Sequence, residues 1–292
     1  MIVFYKGHNI LFIVGCPRSG TTWLQRILAN HPLVRTGQES DLFTDYVGPQ
    51  LRHWRRETDT TWNGRGGVGL GCYFTEEEFL ELLREYMGKL LKPLVGNLRP
   101  GEIFVEKTPS HALFIPEILE LLPETNIIHI KRDARDTVAS ILAASRSWGA
   151  KWAPRYAWKA SLMWVRHVKA VRQAVERPEA KPRVHELTYE DLHASPHDCI
   201  RNLCNQIGLN WGDGAILQAI EANTKETTKI TGGTPIPLGG EFGKKTGNIV
   251  KEPEAFVRKA KVGTWREDLT LLEKLQVWVV AHKVMKEAGY SW

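Results

Sequence analysis

The chain has 292 residues, of which 42% are apolar and 25% charged, and 39 Lys and Arg against 33 Asp and Glu give a net charge of +6. This composition fits one large globular domain or two small ones and excludes disorder over the bulk of the chain. No apolar run reaches the roughly 18 residues of a membrane-spanning helix, and the N-terminus lacks a signal-peptide core. Cys16, Cys72, Cys199 and Cys204 form no CxxC pair and no zinc spacing, so they are expected as reduced thiols in a cytoplasmic protein. The modest positive balance suits an anionic ligand, a nucleic acid or a solvated surface alike, and the placement of the cations must decide.

Residues 10–14 are an apolar run rich in β-formers and read as a buried strand. A turn over 15–20 follows, then a helix over 21–29 with apolar residues at Trp23, Leu24, Ile27 and Leu28, ended by His31-Pro32. Residues 41–75 are rich in Gly, Trp, Arg and Thr with little periodicity, and are expected as an irregular excursion or lid. Helical patterning resumes over 76–91. Strands are expected at 103–105, 126–130 and 183–187. Between and after them come helices over 110–122 and 133–147, a Trp-rich stretch 148–164 running into a helix that ends near 176, and a helix over 189–207 stopped by Gly208. Residues 227–247 read as loop and 269–288 as the last helix. Strands alternating with helices predict an α/β fold, a central parallel sheet flanked by helices on both faces. No repeat or boundary divides 1–292, which is read as a single domain with irregular segments near 41–75 and 227–250.

Four segments carry chemistry. Gly15-Cys16-Pro17-Arg18-Ser19-Gly20-Thr21-Thr22 joins a strand to a helix, where free N–H groups and the helix dipole favour an anion. Its spacing copies G-x4-G-K-[ST], but Thr21 stands where nucleoside triphosphatases have lysine, and Arg18 supplies the loop's cation instead. Lys131 to Ser140 spans a strand end and a helix start, so Arg132 and Ser140 are placed for a second anionic group at the ligand edge of a parallel sheet. Arg258-Lys259-Ala260-Lys261-Val262-Gly263-Thr264-Trp265-Arg266 has the cations and glycine of a clamp on phosphate. Glu106-Lys107-Thr108-Pro109 puts Lys107 at a strand end, where a lysine can neutralise charge developing on a leaving group. Each has a plain alternative: a simple βα turn, a capped helix with solvated charges, a basic surface loop, a structural ion pair.

Taken in register over about residues 10–270, these segments resemble the sulfotransferases that use 3′-phosphoadenosine 5′-phosphosulfate (PAPS). The resemblance implies a P-loop-NTPase-like sulfotransferase fold and in-line transfer of a sulfuryl group to a hydroxyl or amine of a small-molecule, lipid or glycan acceptor, leaving 3′-phosphoadenosine 5′-phosphate (PAP). It assigns Arg18, Ser19, Gly20, Thr21 and Thr22 to the 5′-phosphosulfate and Trp23 to stacking on adenine. Arg132 and Ser140, with Arg258 and Lys259, would hold the 3′-phosphate, and Tyr189 in Thr188-Tyr189-Glu190-Asp191-Leu192 would touch the adenine edge. Ala260 departs from the glycine of the family's clamp. Glu39 matches the position of the catalytic glutamate in protein-tyrosine and glycan sulfotransferases, with His111 and Asp41 as alternative bases, while Lys107 and Arg18 would assist the leaving group. No metal, nucleic acid or transmembrane segment is implied; a homodimer would use a short pattern near 266–273, imperfect in this chain. Trp54, Trp62, Trp148, Trp152, Trp158 and Trp164 are expected as packing residues, some of them lining an acceptor pocket. The competing readings are a P-loop nucleotide kinase or hydrolase and a non-catalytic polyanion binder.

Overall fold

The computed structural model describes residues 5–59, 68–246, 253, 256 and 259–291. Its sheet consists of β1 (Ile10–Gly15), β2 (Val34–Thr36), β3 (Ile103–Lys107), β4 (Asn126–Lys131) and β5 (Val184–Thr188), all parallel in the order β2-β3-β1-β4-β5. All of β1 is buried, which is why its sequence is a continuous apolar run rather than an alternation. Ile10, Phe12 and Val14 face one core cluster; Leu11 and Ile13 face another.

Helices cover both faces. In chain order they are α1 (Thr21–Leu28), α2 (Gly48–Thr58), α3 (Glu76–Val95), α4 (Ile115–Leu121), α5 (Ala134–Ser145), α6 (Ala157–Val175), α7 (Tyr189–Ala194) and α8 (Pro196–Ile207). Then come α9 (Asp213–Glu221), α10 (Lys225–Thr231), α11 (Gly240–Thr246), α12 (Trp265–Asp268) and α13 (Leu271–Glu287). Helices α1, α8 and α9 pack with Leu11, Ile13, Ile128 and Ile130. Helices α2, α3 and α4 pack on Phe12 and its neighbours. A third cluster joins α5, α6 and α13 around the fully buried Trp164.

The register fixes the site. Ile13 pairs with Lys107, Gly15 with Ile130, and Lys131 with Thr188. The carboxyl ends of β3, β1, β4 and β5 therefore share one edge, and the chain passes to opposite sides of β1 there, the switch point at which open α/β sheets bind ligands.

Several expectations need correction. Helix α2 lies inside the segment expected as irregular: its polar sequence hides a short buried row of Gly48, Leu51 and Trp54, with Pro49 in the first turn. The Trp54 ring stacks on Phe79 with centroids 4.2 Å apart and planes at 5°, so it is packing rather than acceptor wall. Trp62 lies outside the described residues. Strand β2 is too short to show a period. The expected helix over 189–207 is two helices, broken at Ser195-Pro196 because proline opens a new helix. The expected loop over 227–247 carries α10 and α11, the former capped by the Thr224 side chain accepting from Thr227 N–H. Among the described residues no helix is long and apolar enough to cross a membrane.

Candidate active site

The loop from β1 to α1 turns on two residues with positive φ. Arg18 has φ +75° and Gly20 φ +104°. They let Ser19 N–H bond to Cys16 O at 3.0 Å and start α1 at Thr21. A Cβ on Gly20 would stand 2.6 Å from Tyr189 Cδ2, so glycine is required by space as well as by φ. Helix α1 has no side-chain cap and no acid in its first turn, so nothing there competes with an anion for its N–H groups. Ser19 is fully buried, and its Oγ has no hydrogen-bond partner among the described residues.

Beside this loop lies a cavity of about 640 Å³ lined by Arg18, Gly20 to Trp23, Arg132, Ser140, Tyr189 and Lys259. Arg132, just beyond β4, lays its guanidinium 4.1 Å from the Tyr189 ring centre. Its Nη2 donates to Lys261 O at 2.9 Å, and its Nε is buried without a partner among the described residues. Trp164 holds the Arg132 backbone from below by donating Nε1–H to its carbonyl at 2.8 Å. Arg18 lies against the rings of Trp148 and Phe256, 5.2 and 4.7 Å from their centres, and donates to Ser140 Oγ at 3.2 Å and Phe256 O at 2.6 Å. Trp23 donates Nε1–H to Asn223 O at 3.0 Å and tilts against Tyr189 with centroids 5.7 Å apart. Burial raises the Tyr189 pKa, so its phenol stays neutral.

The basic segment closes one wall. Lys259 pairs with Asp268 at 2.8 Å, and His193 Nε2–H donates to Ala260 O at 3.1 Å. Ala260 has φ +48°, in the left-handed region that favours glycine. Buried Asp136 fastens this wall: Oδ2 accepts from Gly263 N–H at 2.7 Å and Oδ1 from Trp265 N–H at 2.9 Å. Arg258 lies outside the described residues.

Glu39 and Lys107 meet at the end of β3, beside the cavity rather than in its lining. Lys107 Nζ donates to Glu39 Oε1; the lysine side chain is almost wholly buried, the glutamate half exposed. His111 does not fit the role of base. It is fully buried, its Nε2 accepts from Phe43 N–H at 3.0 Å, and its Nδ1 faces Glu106 Oε2 at 3.0 Å, so both nitrogens are spent inside the core. Asp41 is half-buried with φ +50°; burial raises its pKa and Thr44 holds its Oδ1 at 3.1 Å.

Comparison with known proteins settles the lineage. The profile described as the sulfotransferase family matches residues 11–213. The chain belongs to the sulfotransferase family. A putative protein-tyrosine sulfotransferase of Caenorhabditis briggsae is 31% identical over 134 residues, covering 46% of this chain and 43% of the relative. The protein-tyrosine sulfotransferase of Drosophila melanogaster is 26% identical over 209 residues, covering 71% and 39%. The chain thus spans about two fifths of the length of these relatives. A mouse sulfotransferase complexed with PAP superposes with a TM-score of 0.61 at 14% identity, over 97% of this chain and 86% of that one. A sulfotransferase domain from the curacin biosynthetic pathway superposes at 0.58 with 18% identity, over 99% of both. The expected P-loop-like sulfotransferase fold is the one these structures share.

In this family member the sequence pattern did not single out Asp136, which lay inside the motif around Arg132 and whose spacing from Arg132 was its only signal. It also missed Asn223, brought to Trp23 by the unpredicted α9, and Glu106, whose neighbourhood no local pattern announces.

Proposed function

We propose that the chain transfers a sulfuryl group from PAPS to an acceptor hydroxyl or amine. The observation that carries the donor site is a cavity at the uncapped start of α1 lined by Arg18, Thr21, Thr22, Arg132 and Lys259. The N–H groups and dipole of that helix start, with three cations around the same space, suit an oxyanion. The residues fit the nucleotide. Ser19 to Thr22 offer N–H and hydroxyl donors to the 5′-phosphosulfate. Arg132, whose Nε has no partner among the described residues, takes the 3′-phosphate together with Ser140 and Lys259. Trp23 and Tyr189 offer ring faces to adenine.

Chemistry then needs positioning, a proton acceptor and charge neutralisation. The acceptor oxygen attacks sulfur as the bond from sulfur to the 5′-phosphate oxygen breaks. Its proton passes to the Glu39 carboxylate. Lys107, bonded to Glu39, exchanges that bond for the oxygen that leaves, and Arg18 shares the charge. The names of the tyrosine-sulfating relatives favour a phenolic hydroxyl among the acceptors, and the Trp148 and Phe256 rings beside Arg18 suit a flat group.

The test is transfer of label from 35S-PAPS to a panel of phenols, alcohols, sugars and amines. Labelled product is expected, with Glu39→Gln lowering kcat by about 100-fold or more, as loss of a general base does. Binding of PAP without transfer to any acceptor would refute the proposal.

A further inference from the structure

Glu106, next to last in β3, is a fully buried carboxylate. Burial raises its pKa, but the hydrogen bonds from His111, Thr108 and Ser40 outweigh burial and hold the carboxyl below its ordinary value. Its Oε1 accepts from Thr108 Oγ1–H at 2.6 Å, Ser40 Oγ–H at 2.8 Å and Ser40 N–H at 3.2 Å. Its Oε2 faces His111 Nδ1 at 3.0 Å.

Every link in this network has a fixed direction. The Phe43 amide can only donate, so His111 Nε2 is the unprotonated nitrogen and Nδ1–H donates to Glu106. Thr108 Oγ1 gives its hydrogen to Glu106 and accepts from the Ser40 and Asp41 amides at 3.2 and 3.4 Å. Backbone N–H groups of residues 40, 41 and 43 are thus all anchored, directly or through one side chain, to a single carboxylate. Asp41 is held in the left-handed region by the same anchorage. Glu39 precedes this anchored run and Lys107 follows Glu106, so one buried group sets both halves of the Glu39–Lys107 pair.

We propose that Glu106, acting with His111, Thr108 and Ser40, is the positioning residue that aims the Glu39 carboxylate at the acceptor. The inference rests on Glu39 being the base. Glutamine replaces Glu106 only in part: with its Oε1 accepting from His111 Nδ1–H, its Nε2 sets a donor against the Ser40 N–H, and the Ser40 and Thr108 hydroxyls must turn to accept.

The test is a double-mutant cycle on kcat with PAP affinity measured alongside. Glu106→Gln is expected to lower kcat about 10- to 100-fold while PAP affinity stays within about twofold, because no cavity-lining residue belongs to the network. In a Glu39→Gln background the same change is expected to lower kcat by less than about threefold, since a group that acts through Glu39 has nothing left to aim. Full additivity of the two losses, or a parallel loss of PAP affinity, would overturn the proposal, because a merely structural role predicts one or the other. Ser40→Ala is the milder variant: it removes the Ser40 Oγ–H bond to Glu106 Oε1 and the Leu42 N–H bond to Ser40 Oγ but keeps the Ser40 N–H bonds, and it must show the same non-additivity, so the test survives poor folding of Glu106→Gln. Unchanged kcat in Glu39→Gln alone would refute the base assignment itself, and that failure is read from the single variant, before Glu106 is touched.

Discussion

Gly20→Ala puts a methyl group where the structure leaves no room. The backbone φ of +104° is foreign to an L-residue with a side chain, which costs about 1–2 kcal/mol. The new Cβ would also meet Tyr189 Cδ2 at 2.6 Å and Cε2 at 3.1 Å. Tyr189 cannot withdraw freely, because Arg132 lies over its ring at 4.1 Å and Trp23 packs beside it. Overpacking of this kind adds about 1–3 kcal/mol, so the total is about 2–5 kcal/mol. Gly208 is the control: φ is +71°, but a Cβ there would meet nothing within 4 Å, so Gly208→Ala bears only the backbone cost. At about 2–4 °C per kcal/mol for a chain of this size, thermal unfolding should drop roughly 4–20 °C for Gly20→Ala and roughly 2–8 °C for Gly208→Ala. The displaced Tyr189 should also weaken PAP binding in the first variant and not in the second. Equal melting temperatures for the two variants would refute the claim that Gly20 is required by contact with Tyr189.

Arg132→Ala should weaken PAP binding by about 10- to 150-fold, the worth of charge-assisted hydrogen bonds of about 1.5–3 kcal/mol, and Arg132→Lys should recover only part of this because lysine cannot lie flat on Tyr189; calorimetric titration reads both. Asp136→Asn turns an amide toward the Gly263 or Trp265 N–H and should cost about 1–3 kcal/mol of local stability, seen as faster proteolysis in the segment 259–265 and weaker PAP binding. His167 carries a pH dependence: burial, with the neighbouring Arg166 and His129 charges, outweighs the hydrogen bond to Met163 and lowers its pKa from 6.5 to about 4. Between those values the unfolded chain takes up a proton that the folded one refuses, so its share of stability is complete above pH 6.5 and is lost as pH falls through 4. Melting curves of His167→Gln should fall less steeply than the parent's over that window.

The sheet and the anion loop were legible because their signals are local. Residues 10–29 carry a complete strand, turn and helix in sequence, and β3 and β4 each keep a short apolar run, Ile103 to Val105 and Ile127 to Ile128. Helix α2 escaped because Arg and Glu dominate it and only Leu51 and Trp54 mark its buried side. Strand β2 has three residues and exists only because β3 offers an edge. Within the site, Glu39 and Lys107 were each singled out by position, but that they bond to each other depends on a separation of 68 residues that no spacing rule spans. Glu106 was hidden for the same reason: Ser40 is 66 residues away, and a charged residue inside a strand reads as solvent-facing until the fold surrounds it with donors. His111 looked available in the sequence and is enclosed by that same network.

The central claim is that the cavity beside Ser19 and Arg132 takes a 3′-phosphorylated adenosine nucleotide. Calorimetric titration with PAP, AMP and ATP tests it most directly. Tight binding of PAP, with AMP at least about tenfold weaker for want of the 3′-phosphate bonds worth about 1.5 kcal/mol or more, is the predicted result. ATP bound more tightly than PAP, or PAP bound no better than AMP, would contradict it.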